Sequence, residues 1–176
     1  MGTAHAPPPV KLIASLLAAS EPLLSEARHA LSNRFGPIDA QSEPAAWEFS
    51  RYYQDEMGDR IVRQFVSFER LTTPGKLAGL KQLTNELEQV WRTQRGRQVN
   101  IDPGYLSALK LVLATTKDAA HRIYLSGGIY AEVTLEFRDG RFQPYTHTYP
   151  DYAAASACEF FERVRATYLG QLRTLH

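Results

Sequence analysis

The stretch Arg122-Ile123-Tyr124-Leu125-Ser126-Gly127-Gly128-Ile129-Tyr130-Ala131-Glu132-Val133-Thr134-Leu135-Glu136-Phe137-Arg138-Asp139-Gly140-Arg141-Phe142-Gln143-Pro144-Tyr145 decides the fold. Two glycine-bearing breaks interrupt an otherwise β-forming run. Asp139-Gly140 is a strong two-residue hairpin signal, because a type I′ turn needs positive φ at both central positions. It sets Phe137 opposite Phe142 and Glu136 opposite Gln143. At Ser126-Gly127-Gly128, a three-residue loop opposes Leu125 to Ile129, Tyr124 to Tyr130, Ile123 to Ala131 and Arg122 to Glu132. A two-residue loop would instead oppose Ile123 to Glu132 and mix the faces, which register rules disfavour. The expected product is a three-stranded β-meander with two distinct sides. Ile123, Leu125, Ile129, Ala131, Val133, Leu135 and Phe137 make the core side. Arg122, Tyr124, Tyr130, Glu132, Thr134, Glu136, Gln143 and Tyr145 make the other.

Upstream, three helices announce themselves. The first spans Glu21 to Phe35, with Ser20 as N-cap, Pro22 in the first turn and Gly36-Pro37 as the stop. The second follows Thr73-Pro74, where Leu77, Leu80, Leu83, Thr84, Leu87, Val90 and Trp91 recur at helical spacing. The third starts near Asp151 and turns Phe160, Phe161, Val164 and Tyr168 inward. Leu12 to Ala19 reads as a first core strand, Ile61 to Glu69 as another, and Trp47 to Ser50 as a shorter partner. The order β, α, β, β, α suits a ferredoxin-like half. Asp102 to Thr116 reads two ways: Asp102-Pro103 suits a helix start, yet Leu109, Leu111 and Leu113 alternate like a strand. The expected class is therefore α+β: a mixed or antiparallel sheet, ferredoxin-like in its first half and a β-meander in its second, with about three helices mostly on one face. Residues 1–10 read as a disordered Pro-rich N-terminus and residues 11–176 as a single domain.

Composition narrows the function classes. In 176 residues, 44% are hydrophobic, and 20 basic side chains against 19 acidic ones leave a net charge of +1. The balance removes any global electrostatic case for a nucleic-acid or membrane-surface protein, so nucleic acid stays open only through a local basic patch. One cysteine excludes an internal disulfide framework and any multi-cysteine metal site. No run approaches the ~20 apolar residues of a membrane span, and the cytoplasm is the default compartment.

Several segments together resemble the prokaryotic domain-of-unknown-function family 4416. They are Arg63 to Glu69, Thr84 to Glu88, Asn100 to Leu106, Lys110 to Asp118, His121 to Leu125, Gly128 to Leu135 and Thr148 to Tyr152. The resemblance spans nearly the whole chain and implies no established activity. Some relatives of this kind carry a GTP-binding label. Gly75-Lys76 lacks the upstream Gly and the following Ser or Thr of a phosphate-binding P-loop, and Lys117-Asp118 lacks the Lys-x-Asp spacing of a guanine-reading loop.

Candidate chemistry concentrates on the polar side of the meander. Arg122 and Lys117 suit an anion, and Tyr124 and Tyr130 suit stacking or phenol hydrogen bonds. Glu132, His121 and Asp102 are the acid–base candidates. The plain alternative is the wet face of an antiparallel sheet, with Arg122–Glu132 an exposed cross-strand ion pair. Strand alternation points His121 with Ile123, away from Arg122. Asp102 has a competing role as a turn or cap residue. Asp102, Asp118, Glu132, Asp151, His121 and His147 could hold a divalent metal if the fold gathers several of them, but their spacing matches no metal motif, so no metal is assigned and the cofactor is left unknown. Tyr52 to Gly58 suits an aromatic lid or a packed turn, and Arg92, Arg95 and Arg97 form a local basic loop. The leading expectation is a small cytoplasmic enzyme or binding domain for a phosphate-bearing ligand, a nucleotide or an RNA end; whether it is an enzyme is left open. The alternative is a non-catalytic interaction module, a homodimer through its sheet face.

Overall fold

A computed structural model describes residues 2–175 of the chain. The first half runs β1 (Val10–Ala18), α1 (Glu21–Phe35), β2 (Ile38–Gln41), β3 (Ala45–Ala46), α2 (Gln54–Met57), β4 (Val62–Thr72), α3 (Leu77–Glu88). A two-strand ribbon follows, β5 (Arg92–Thr93) with β6 (Gly96–Arg97), then β7 (Val99–Leu106) and β8 (Lys110–Thr115). The chain ends with β9 (Arg122–Ser126), β10 (Ile129–Arg138), β11 (Arg141–Pro144), α4 (Pro150–Ala153) and α5 (Ala155–Arg173). No helix among the described residues is long and apolar enough to cross a membrane.

Local signals place α1 where the sequence puts it. The Ser20 side chain accepts a hydrogen bond from the Leu23 amide, and Gly36 ends the helix at φ 99°. In the main sheet every pairing is antiparallel, and the order is β11-β10-β8-β7-β1-β4-β2. The segment β7-β1-β4-β2 has the ferredoxin-like arrangement, with α1 and α3 crossing one face. The short partner of β4 is β2 together with β3; Trp47 to Ser50 is a loop. Asp102-Pro103 lies inside β7, not at a helix start.

The sheet is covered on both sides: β1 is buried along its whole length and turns apolar side chains to both faces, with Lys11 and Ser15 beside Ile13 and Leu17 on the second. Leu12, Ala14, Leu16 and Ala18 pack with Leu24, Ala27 and Leu31 of α1 and with Leu80 and Leu87 of α3. Ile13 turns the other way, toward Phe160, Phe161, Val164 and Tyr168 of α5. These four side chains are at most 2% exposed, each contributing roughly 1.5–3 kcal/mol on burial. The third long helix thus lies opposite the first two, not beside them.

The second half is not a meander. β8 pairs one edge of β10 from Tyr130 to Glu136, so β9 and β11 share the other edge, end to end. Tyr130 opposes Tyr124, Ala131 opposes Ile123 and Glu132 opposes Arg122, as the register rule predicts. Next to the turn, Ser126 faces Ile129 across Gly127-Gly128, and the register slips at that point. Both glycines have positive φ, 58° and 77°, as do Asp139 and Gly140 at the second hairpin. A second slip, at Thr134, changes the side on which β10 buries its apolar residues. Ile129 and Val133 pack under α3, whereas Leu135 and Phe137 join the α5 core. On β9, Ile123 and Leu125 are 70% and 39% exposed, not core.

Two glycines separate packing from propensity. A Cβ on Gly104 would sit 2.5 Å from the Val112 carbonyl oxygen, whereas one on Gly79, within α3, meets nothing within 4 Å. Urea unfolding should show Gly104→Ala destabilised by about 1–3 kcal/mol, the range for overpacking. Gly79→Ala should be stabilised by about 0.5–1 kcal/mol.

Candidate functional site

The ladder between β7 and β8 reaches only from Gly104 to Leu106, so among the described residues the Val99–Pro103 part of β7 has no strand on that side. Pro103 sits where the two strands part and has no N–H to offer. The exposed ladder groups of Ile101 are met from α3. The Glu88 carboxylate accepts from the Ile101 amide at 2.7 Å, and Lys81 Nζ donates to the Ile101 carbonyl at 2.9 Å. Lys81 and Glu88 therefore lie on the buried stripe of α3, with Leu77 and Thr84. The leucine spacing alone centres that stripe elsewhere.

A cavity of about 540 Å³ opens at this split. Its floor is the sheet face that α5 covers further along. One cross-strand row brings Arg63, Leu17 and Asn100 together, and another brings Leu113, Glu132 and Arg122. Trp47, Phe49, Tyr52 and Tyr53 line one side, and Tyr149 and Tyr152 another. At the rim, Lys117 Nζ donates to the Tyr52 hydroxyl at 3.0 Å and lies 4.2 Å from the centre of that ring. The Tyr52–Tyr53 segment thus forms part of the wall of the cleft.

Each charged group in the cavity has a distinct set of partners. Lys81 Nζ donates to Asp102 Oδ1 at 2.8 Å and stands 4.0 Å from Glu88. Asn100 donates to Asp102 Oδ2 at 2.8 Å and accepts from Arg97, which also pairs with Glu56 at 2.9 Å. Arg122 donates to Glu132 at 2.9 Å, to the Lys117 carbonyl and to the Tyr149 hydroxyl. Arg63 is 6% exposed, bonds Asp151 through Nη1 and faces the rings of Trp47, Phe65 and Tyr152. Its Nε and Nη2, Asp151 Oδ1 and the Tyr152 hydroxyl have no hydrogen-bond partner among the described residues.

The family model described as Domain of unknown function (DUF4416) matches residues 8–168. This chain belongs to the DUF4416 family. No curated protein and no solved structure gives a significant match to it.

Within this DUF4416 chain, four of the residues expected at the site line the cavity: Asp102, Lys117, Arg122 and Glu132. Arg122 and Glu132 do share a side of the sheet, but the pair is buried, not a wet-face ion pair. Tyr124 and Tyr130 are not part of the lining; they meet edge to face at 5.4 Å, with Tyr124 58% exposed. His121 departs from its expected direction. It precedes β9, so strand alternation does not govern it, and its Nε2 lies 3.2 Å from Glu132 Oε2. It does not line the cavity and stacks on His147 at 4.3 Å. Arg63, Lys81 and Glu88 were not singled out from the sequence as chemistry, although Lys81, Thr84 and Glu88 fall at helical spacing; Arg97 of the basic loop and Asp151, weighed as a metal ligand, do line the cavity.

Electrostatics divides the two carboxyls beside Lys81. Burial pushes Glu88 up from 4.5 to about 7, against the pull of Lys81. Burial also opposes ionisation of Asp102, but the Lys81 charge and the hydrogen bonds from Lys81 and Asn100 outweigh it and hold Asp102 below its ordinary value. A carboxyl raised on folding stabilises fully below its unfolded pKa, and that share is lost as pH rises through the folded value, about 7 for Glu88. From about pH 5 to about pH 8 the thermal midpoint of the wild type should therefore fall by several degrees more than that of Glu88→Gln, measured by circular dichroism.

Proposed function

We propose that this chain binds a phosphate-bearing small molecule, a nucleotide or the end of an RNA strand, in the cavity over the sheet. The observation that carries this reading is Arg63. Buried polar groups are almost always hydrogen-bonded, yet two of its three guanidinium nitrogens are not. Both nitrogens are covered, so a phosphate reaches them only as the surrounding rings give way, and a guanidinium then matches phosphate oxygens bidentately. The cavity volume falls in the range that encloses small molecules, about 300–1,000 Å³. With every group ionised, its lining carries Arg63, Lys81, Arg97, Lys117 and Arg122 against Glu88, Asp102, Glu132 and Asp151, an excess of one positive charge, and of two while Glu88 holds its proton. Phe49, Tyr52 and Tyr149 are about half exposed and offer faces on which a base can stack. The single cysteine supports a cytoplasmic setting.

A second reading has its own observation. Among the described residues the outer edge of β9 pairs with no strand, and Ile123 and Leu125 project from it into solvent. Such an edge suits pairing with a second copy of the chain. Light scattering decides it: a dimer dissolved by Ile123→Glu supports the interface, and a monomer ends it.

For the ligand reading, calorimetric titration with nucleoside monophosphates and a 5′-phosphorylated dinucleotide is the direct test. At least one should bind, Arg63→Gln and Lys117→Ala should each weaken it, Arg63→Gln by about tenfold or more, and Tyr124→Ala should leave it unchanged. Failure of all these probes to bind the wild type overturns the reading.

A further inference from the structure

The cavity holds two carboxyl groups in unlike states on one ammonium. Lys81 Nζ touches Asp102 at 2.8 Å and stands 4.0 Å from Glu88, and both carboxyls line the cavity. Asp102 accepts from Lys81 and from Asn100 and keeps a third of its side-chain surface open. Glu88 accepts one hydrogen bond, from the Ile101 amide. The charged groups facing it are Lys81 on its own helix, Arg97 on β6 at 3.7 Å and Asp102 on β7. Neither cation reaches hydrogen-bond distance, and Glu88 keeps its proton up to about pH 7, where Asp102 is ionised. Neighbouring titratable groups driven apart in this way mark an acid and a base.

We propose that Glu88 and Asp102 are the acid and base of a hydrolytic cleavage of the bond between sugar and base in a nucleoside monophosphate. This rests on the phosphate-ligand reading of the same cavity, to which the unpartnered donors of Arg63 point independently. The chemistry selects the bond. A carboxylate beside a phosphoryl centre repels it, whereas a carboxylate beside an anomeric carbon stabilises the positive charge that develops there as the bond breaks. The departing ring nitrogen needs a proton, and a neutral carboxyl supplies one. Water adds its oxygen to C1′ while Asp102 takes a proton from it. The C1′–N bond breaks, its electron pair stays on the base nitrogen, and that nitrogen receives the Glu88 proton. The products are the free base and ribose 5-phosphate. Transfer of the proton from Asp102 to Glu88 through solvent restores the starting state.

The test uses the full chain with the 5′-monophosphates of adenosine, guanosine, cytidine and uridine. Chromatography follows free base and ribose 5-phosphate, and calorimetry follows binding in parallel. The expected result is equal release of both products from at least one monophosphate, with a rate that falls as pH rises through about 7. Glu88→Gln and Asp102→Asn should each lower the rate about 100-fold or more. Glu88→Gln should bind the monophosphate within a few-fold of wild type, which separates lost chemistry from lost folding. Binding without base release overturns the acid–base assignment and leaves the ligand reading standing. Release that survives Glu88→Gln overturns it too. Neither binding nor release overturns both.

Discussion

Where β8 turns away from β7, the N–H and C=O of Ile101 face the interior with no strand to meet them. A buried backbone group left unpaired costs about 1–3 kcal/mol, so the split is tenable only if side chains complete the ladder. Glu88 and Lys81 do so from one helix face. That solution places two ionisable groups inside the protein, and buried ionisable groups need partners of their own. Asp102, Asn100, Arg97 and Glu56 supply them in turn. The polar character of the cavity thus follows from the geometry of the sheet: one missing stretch of ladder recruits a chain of ionic contacts that ends at an open space.

The opposite wall depends on a different irregularity. Strict alternation along β10 would send Leu135 with Ile129 and Val133 to the helices on the first face. The slip at Thr134 lets the early part of the strand serve α3 and the later part serve α5. Glu132, just before the slip, is left on the cavity side with Leu113 and Arg122 as cross-strand neighbours. The bulge thus joins a satellite cluster to the main core and leaves the carboxylate facing the cavity.

What the sequence made legible was local. Ser20 and Gly36 bound α1, and the two glycine turns set the Tyr124–Tyr130 and Phe137–Phe142 pairings, because each signal acts within a few residues. The ferredoxin-like order was readable from the alternation of strands and helices. The insertion of β8 beside β10 was not, since the partners on β10 lie fifteen or more residues away and the pattern of β8 itself suits more than one state. Half of the cavity chemistry was visible on the Arg122–Glu132 pair. The other half hid on α3, where Lys81 and Glu88 occupy positions that an amphipathic pattern assigns to solvent. Arg63 was quoted only within a β-rich run, and a run of that kind does not show which side chain will lack partners.

The rim is fastened lightly. Lys117 and Tyr52 are both exposed, and a cation against an exposed ring is worth only about 0.5–1 kcal/mol. Thermal motion breaks a contact of that size readily, so entry into the cleft is not governed by this clasp. Any guest offering Lys117 an anionic oxygen gives the ammonium a stronger partner than the phenol, and the doorway can then close around its visitor instead of on itself.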